Sequence, residues 1–216
     1  MKLVGLCRST ASALVFLSAI FSLSATGTSA QTIIDEWAGI QVPAPPQLKT
    51  ISIKPKASAL LLLDFNKQAC NAEHRPRCIQ SIPRVQHLME RARAAGMPVL
   101  YSTSMGAGSA DIPKELAPQT GDPIVASGPD KFLGTDLEQA LKNVGAETVI
   151  VTGTAANGAV LYTASVAALR GLNVIVPVDG MSAETAYAEQ FTAWQLVNAP
   201  RLSARVTLTR IDLVQF

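Results

Sequence analysis

The sequence has only two histidines, His74 and His87. So few imidazoles leave no basis for a His-rich metal centre, and no metal site is expected. His87 falls inside an amphipathic helix pattern and reads as an exposed or structural residue. Aromatic residues are also scarce, at 5%. Small and aliphatic residues take their place, which suits helices packed on a sheet. Basic clusters are absent, which argues against a nucleic-acid partner. The formal charge of +2 loses Lys2 and Arg8 if the N-terminal segment is removed, leaving a chain near neutrality. No internal repeat interrupts the pattern, and nothing beyond the N-terminal segment is of low complexity.

Long apolar runs are missing as well. Ala11 to Leu23 is apolar but short and Ser-rich, less than a comfortable membrane span. Preceded by Lys2 and Arg8 and followed by Thr28-Ser29-Ala30, it reads as a signal peptide over residues 1–30, with a retained signal anchor as the alternative. The mature chain is then expected in the periplasm or outside the cell, free of the membrane. Cys7 lies before the apolar run, so it is not placed like a lipoprotein cysteine. Two cysteines remain after export, Cys70 and Cys78, flanking the polar stretch NAEHRPR. In an oxidising compartment they are expected to pair, with free thiols as the alternative.

Residues 31–58 contain Pro43, Pro45, Pro46 and Pro55 and read as an extended N-terminal arm, with Trp37 as an anchor. Residues 59–216 then form one domain with a core of its own. Ala59 to Phe65, ALLLLDF, is a buried strand ending in Asp64. That acid is either a turn or helix cap or a partly desolvated carboxyl in a cleft. Asn66 to Gln80 is the cysteine-bearing loop. A helix follows from Ser81 or Ile82 to Ala95, with Pro83 in its first turn. Pro98 to Ser104 is a second strand. Met105 to Asp130 lacks periodicity and reads as a flap over the site. Lys131 by itself reads as a solvated loop lysine. Thr135 caps the next helix.

The most informative stretch is Thr148 to Gly171, TVIVTGTAANGAVLYTASVAALRG. A β-branched run ends at Gly153, a small-residue turn spans Thr154 to Gly158, and apolar spacing becomes helical from Ala159. Such a junction aims backbone N–H groups at the carboxyl end of the strand, where open α/β sheets bind ligands. A strand over Asn173–Val178, a helix over Ala183–Val197 and a strand over Arg205–Val214 complete the alternation. The alternation predicts an α/β fold: a three-layer, doubly wound, mainly parallel sheet with helices on both faces.

Four features in this order resemble the isochorismatase-like hydrolases, also called cysteine hydrolases. They are the apolar strand ending in Asp64, the run Ala92-Arg93-Ala94-Ala95-Gly96-Met97-Pro98-Val99, the pair Lys131-Phe132, and the strand-turn Val149 to Ala155 with Gly171 to Val174 leading to Asp179. The resemblance covers residues 59 to 214. It implies Asp64 as acid/base and Lys131 as its cationic partner. It also implies a cis peptide at Thr154-Ala155 and turn amides, from Thr154 and Ala155 to Ala159, that hold a substrate oxygen. The nucleophilic cysteine of most relatives falls on Ala159. A methyl group cannot attack a carbonyl. Cys70 is the one substitute nucleophile worth naming, and a disulfide would silence it. True isochorismatases resemble this arrangement in carrying a small residue there. They cleave a vinyl ether by protonation and water addition, with no protein nucleophile. The resemblance thus implies a hydrolase of a small carbonyl, amide or vinyl-ether substrate, without cofactor and compatible with a homo-oligomer. The alternative is an inactive relative that binds a small ligand or partner through the retained pocket.

Overall fold

The computed structural model describes residues 31–216. The expected signal peptide and Cys7 lie outside the described residues. The described residues fall into two units, 31–42 and Pro43–Phe216. In the first unit, α1 (Ile33–Glu36) starts at Thr32, whose backbone N–H and hydroxyl both donate to Asp35 Oδ2 at 2.8 Å. A 3-10 turn, Trp37–Gly39, follows it.

The second unit holds the sheet. Its strands are β1 (Ile51–Ser52), β2 (Ser58–Leu63), β3 (Val99–Ser104), β4 (Ile124–Ser127), β5 (Thr148–Thr154), β6 (Asn173–Pro177), β7 (Met181–Ser182), β8 (Val206–Thr209) and β9 (Val214–Gln215). The main sheet runs β4-β3-β2-β5-β6-β8, every pair parallel, with β7 added beside the end of β5. Chain order reverses between β2 and β5, which lie side by side with Leu63 opposite Gly153. In doubly wound sheets the crevice at such a reversal, beyond the carboxyl ends of the strands, is where ligands sit.

Each strand of the centre is buried on both faces, which is why β2 reads as four consecutive leucines rather than an alternation. Leu60 and Leu62 pack with α2 (Pro76–Ala94) through Val85, Leu88 and Ala92. Leu61 and Leu63 pack on the opposite face with α3 (Leu137–Asn143), α4 (Leu161–Leu169) and α5 (Ala186–Asn198). The expected three-layer fold is therefore present.

Several boundaries differ from expectation. The α2 helix begins at Pro76, not near Ser81, so Pro83 lies inside it and Cys78 sits in its first turn. Pro76 supplies the favoured first-turn proline. The apolar stripe Cys78, Ile82, Val85, Leu88 then runs unbroken past Pro83, and its burial outweighs the lost hydrogen bond. The second half of the expected flap, Ile124–Ser127, is the edge strand β4. Four residues leave no room for a legible period. The expected final strand is two, β8 and β9, separated by a 3-10 turn at Ile211–Leu213. The expected extended arm is helical over Ile33–Glu36, Trp37–Gly39 and Pro55–Ala57. Residues 49–53 bond along the C-terminal segments: Lys49 N donates to Leu208 O (3.0 Å) and Ile53 N to Gln215 O (2.8 Å). Thr185, rather than Ala183, starts α5, its hydroxyl accepting from Ala188 N at 3.2 Å.

Gly153 explains how closely β2 and β5 meet at the reversal. Its φ is +141°, and a Cβ there would lie 2.2 Å from the Leu63 carbonyl oxygen. Gly153→Ala is expected to cost about 2–6 kcal/mol, overpacking and backbone strain together, read as a lowered urea midpoint.

Candidate functional site

The chain leaves β2 through Asp64 and does so in the left-handed region, at φ +54°. Asp tolerates this conformation better than most residues, though at a cost held in place by its surroundings. Here those surroundings are backbone and side chain of one residue. Asp64 N donates to Ser102 O at 3.0 Å, and Ser102 Oγ donates to Asp64 Oδ1 at 2.8 Å. Asp64 is therefore aimed by the end of β3 as well as by its own strand.

Lys131 completes the pair. Its side chain has no exposed surface, and its Nζ lies 2.7 Å from Asp64 Oδ2. The same ammonium donates to Ser127 O at 3.2 Å, so the last residue of β4 accepts a second hydrogen bond from it. Lys131 is thus not a solvated loop residue: burial with an acid partner is how a lysine is accommodated in a core. Its backbone N–H is tied to Thr163 Oγ1 of α4 at 3.3 Å. Thr163 stands one helical turn beyond Ala159, so both lie on one face of the helical segment. Lys131 is held from β4 on one side and from α4 on the other.

Burial raises the Asp64 pKa above the ordinary carboxylate value. The charge and hydrogen bond of Lys131 pull it back, as do the Ser102 hydroxyl and the charge of Arg75, without cancelling the rise. A carboxyl tuned upward beside a fixed cation can hold a proton at a pH where a free Asp cannot, and can give it up in the cleft.

The turn after β5 closes the site. The Thr154-Ala155 peptide is cis. Thr154 Oγ1 donates to Ser182 O at 3.1 Å, which fixes the end of β5 to β7. Ala156 to Val160 form one wide helical turn, and the N–H groups of Gly158 and Val160 both donate to Ala155 O, at 3.0 and 3.2 Å. Ala159 is 4% exposed and packs in the same apolar cluster as Leu63 and Phe132, the neighbours in sequence of Asp64 and Lys131. Asp64, Lys131 and the Thr154–Ala159 turn are therefore gathered at the β2/β5 reversal.

Cys70 and Cys78 form a disulfide, with Cα atoms 5.4 Å apart. It closes a short loop between Asp64 and α2, worth about 2–3 kcal/mol in the chain-entropy picture. Cys70 is accordingly no thiol nucleophile. Among the described residues, no group of three or more His, Cys, Asp or Glu side chains is placed to hold a metal ion. No described helix is long and apolar enough to cross a membrane.

Ser102, Ser127 and Arg75 also bear on the Asp64–Lys131 pair and are not among the residues expected from the sequence. Ser102 carried a usable signal: it interrupts an apolar strand at the register where Asp64 leaves β2. Ser127 acts through its carbonyl, which no residue type announces.

A family model for the isochorismatase domain matches residues 58–210. The N-carbamoylsarcosine amidase of an Arthrobacter species is 29% identical over 145 residues, 54% of this chain and 55% of that protein. The match thus spans about half the length of that relative. Among solved structures, an isochorismatase-like hydrolase from Alkaliphilus metalliredigens is similar with a TM-score of 0.64 and 24% identity, over 72% of this chain and 95% of that one. An isochorismatase from Pseudomonas putida reaches 0.66 at 16% identity, over 85% and 99%. At these identities the structural likeness speaks for the fold.

Proposed function

The chain belongs to the isochorismatase family, and from that premise we propose that it is an exported hydrolase working without a protein nucleophile. Asp64 is its acid/base, Lys131 its fixed cation, and backbone amides of the turn at Thr154, Ala155 and Ala159 bind a substrate oxygen. The single observation that carries this reading is the buried Asp64–Lys131 pair, 2.7 Å apart at the sheet reversal.

The chemistry follows from what each group can do. For a vinyl-ether substrate, protonated Asp64 gives its proton to the vinyl carbon. The electron pair of the double bond forms the new C–H bond, leaving an oxocarbenium ion. Water adds to that carbon and loses a proton to the Asp64 carboxylate, and the hemiketal collapses to a carbonyl and an alcohol. Lys131 steadies the carboxylate between the two transfers, and the turn amides oppose negative charge on a substrate oxygen. For an amide or carbamoyl substrate, a class suggested by the amidase among the relatives, Asp64 instead takes the proton of the attacking water and returns it to the leaving nitrogen as the C–N bond of the tetrahedral intermediate breaks. Neither route needs a side chain at residue 159. Export is supported by the Cys70–Cys78 bond, which suits an oxidising compartment.

The test is a hydrolysis screen of vinyl ethers, amides, carbamoyl compounds and esters with wild type, Asp64→Asn and Lys131→Ala. Turnover that needs both residues supports the proposal, and turnover indifferent to both overturns it. Ala159→Cys restores a thiol at the helix start. It is expected to add amide hydrolysis through an acyl adduct, visible in intact-protein mass as the acyl group's increment.

A further inference from the structure

Among the described residues, two buried side-chain polar atoms have no hydrogen-bond partner, Arg75 Nε and Ser182 Oγ. Both stand at the carboxyl end of the sheet. Arg75 is the residue before α2, inside the loop closed by Cys70 and Cys78. Ser182 is paired with Thr154 at the end of β5. The two segments meet through Glu184, two residues beyond Ser182, whose Oε1 is 3.8 Å from Arg75 Nη2.

The guanidinium is held by one corner. Arg75 Nη1 donates to Ala69 O at 2.8 Å, in the loop that leaves Asp64. The remaining edge, Nε with Nη2, has only the Glu184 contact, beyond hydrogen-bond length and with Glu184 64% exposed. Elsewhere in this protein that edge is filled by a carboxylate. Arg77 donates from Nε and Nη2 to both oxygens of Glu189 (2.7 and 2.5 Å), and Arg210 uses the same two atoms on Asp212. A planar fork with an unfilled edge matches a carboxylate in shape and charge. A buried N–H left unpaired is costly, so a ligand that fills it gains what the free protein lacks.

We propose that Arg75 and Ser182 select the substrate by binding a carboxylate on it, presented to the Nε/Nη2 edge of Arg75 with Ser182 Oγ donating to the same group. This rests on Asp64 and Lys131 being the reacting centre and narrows its substrates to small carboxylic acids. Ser182 lies opposite Thr154, at the head of the turn that follows β5, so a group held on its hydroxyl stands beside the reacting centre.

The experiment is binding, read by ligand-observed NMR and calorimetry. The probes are benzoate, pyruvate and N-carbamoylsarcosine, each against its neutral primary amide. Wild type is expected to bind at least one acid about tenfold more tightly than its amide, as for a charge-assisted bidentate contact. Arg75→Gln should abolish that preference, Arg75→Lys should keep only part of it, and Ser182→Ala should weaken it severalfold. Asp64→Asn should retain it. If Arg75→Gln fails to fold by circular dichroism, the Arg75→Lys and Ser182→Ala results decide. No acid preference in wild type, or an undiminished one in the variants, overturns the proposal. Binding is read without turnover, so a panel with no hydrolysis counts against the hydrolase reading alone.

Discussion

Asp64→Asn is expected to lower turnover by about 10²- to 10⁴-fold, the usual worth of a positioned general acid or base. Asparagine is the right replacement because it tolerates the left-handed backbone at φ +54° and can still accept from Ser102 Oγ. The loss then reports the proton and not the loop. The same carboxyl sets the pH dependence. Its pKa is raised chiefly by burial, so it remains protonated above the ordinary Asp range. With a vinyl-ether substrate, turnover is expected to fall as pH rises through that raised pKa. With an amide, the carboxylate is the active form and the limb reverses. A pH–rate profile of wild type, with Asp64→Asn as the blank, checks the direction for each substrate class.

Lys131→Met is expected to destabilise the protein by about 3–5 kcal/mol, because it leaves Asp64 buried without its counter-charge. For a domain of this size that is roughly 6–20 °C in melting temperature. Methionine keeps most of the side-chain volume, so the loss is electrostatic rather than a cavity. The loss should itself depend on pH, with a definite sign. Without Lys131, the Asp64 pKa rises further, because the ammonium is the largest influence lowering it. A group whose folded pKa exceeds its unfolded value contributes stability that is full below the unfolded pKa. That contribution disappears as pH rises through the folded pKa. Lys131→Met should therefore approach wild type in acid and fall away toward neutral pH. The double variant Asp64→Asn/Lys131→Met should recover part of the loss, since no charge is left unpaired. Urea melts of the four proteins at several pH values measure both effects.

What could be read from the sequence follows from how local each signal is. Four leucines before Asp64 could only be a strand buried on both faces, and the β-branched run before Gly153 likewise. That the two strands lie side by side was not legible: alternation implies a parallel sheet but gives no strand order, and it is the register of Leu63 opposite Gly153 that brings their ends together. Lys131 was different. Nothing within a few residues shows that it is buried, because its acid lies 67 positions earlier on another strand. Its burial is a product of topology, and only the family resemblance singled it out. Arg75 was hidden in a misplaced boundary: with the helix expected from Ser81 or Ile82, Arg75 lay in mid-loop rather than at the head of α2. The strands β4 and β7 are too short for a period, and they are recognisable only by the partners they pair with.

The central claim is that hydrolysis here proceeds from Asp64 and Lys131 with no covalent step. The most direct test is mass spectrometry of samples quenched during turnover, reading intact protein and product together, with Ala159→Cys as the positive control for an adduct. Product is expected to accumulate over wild-type protein of unchanged mass. A wild-type acyl adduct, or no product from any vinyl ether, amide, carbamoyl compound or ester, would contradict that claim.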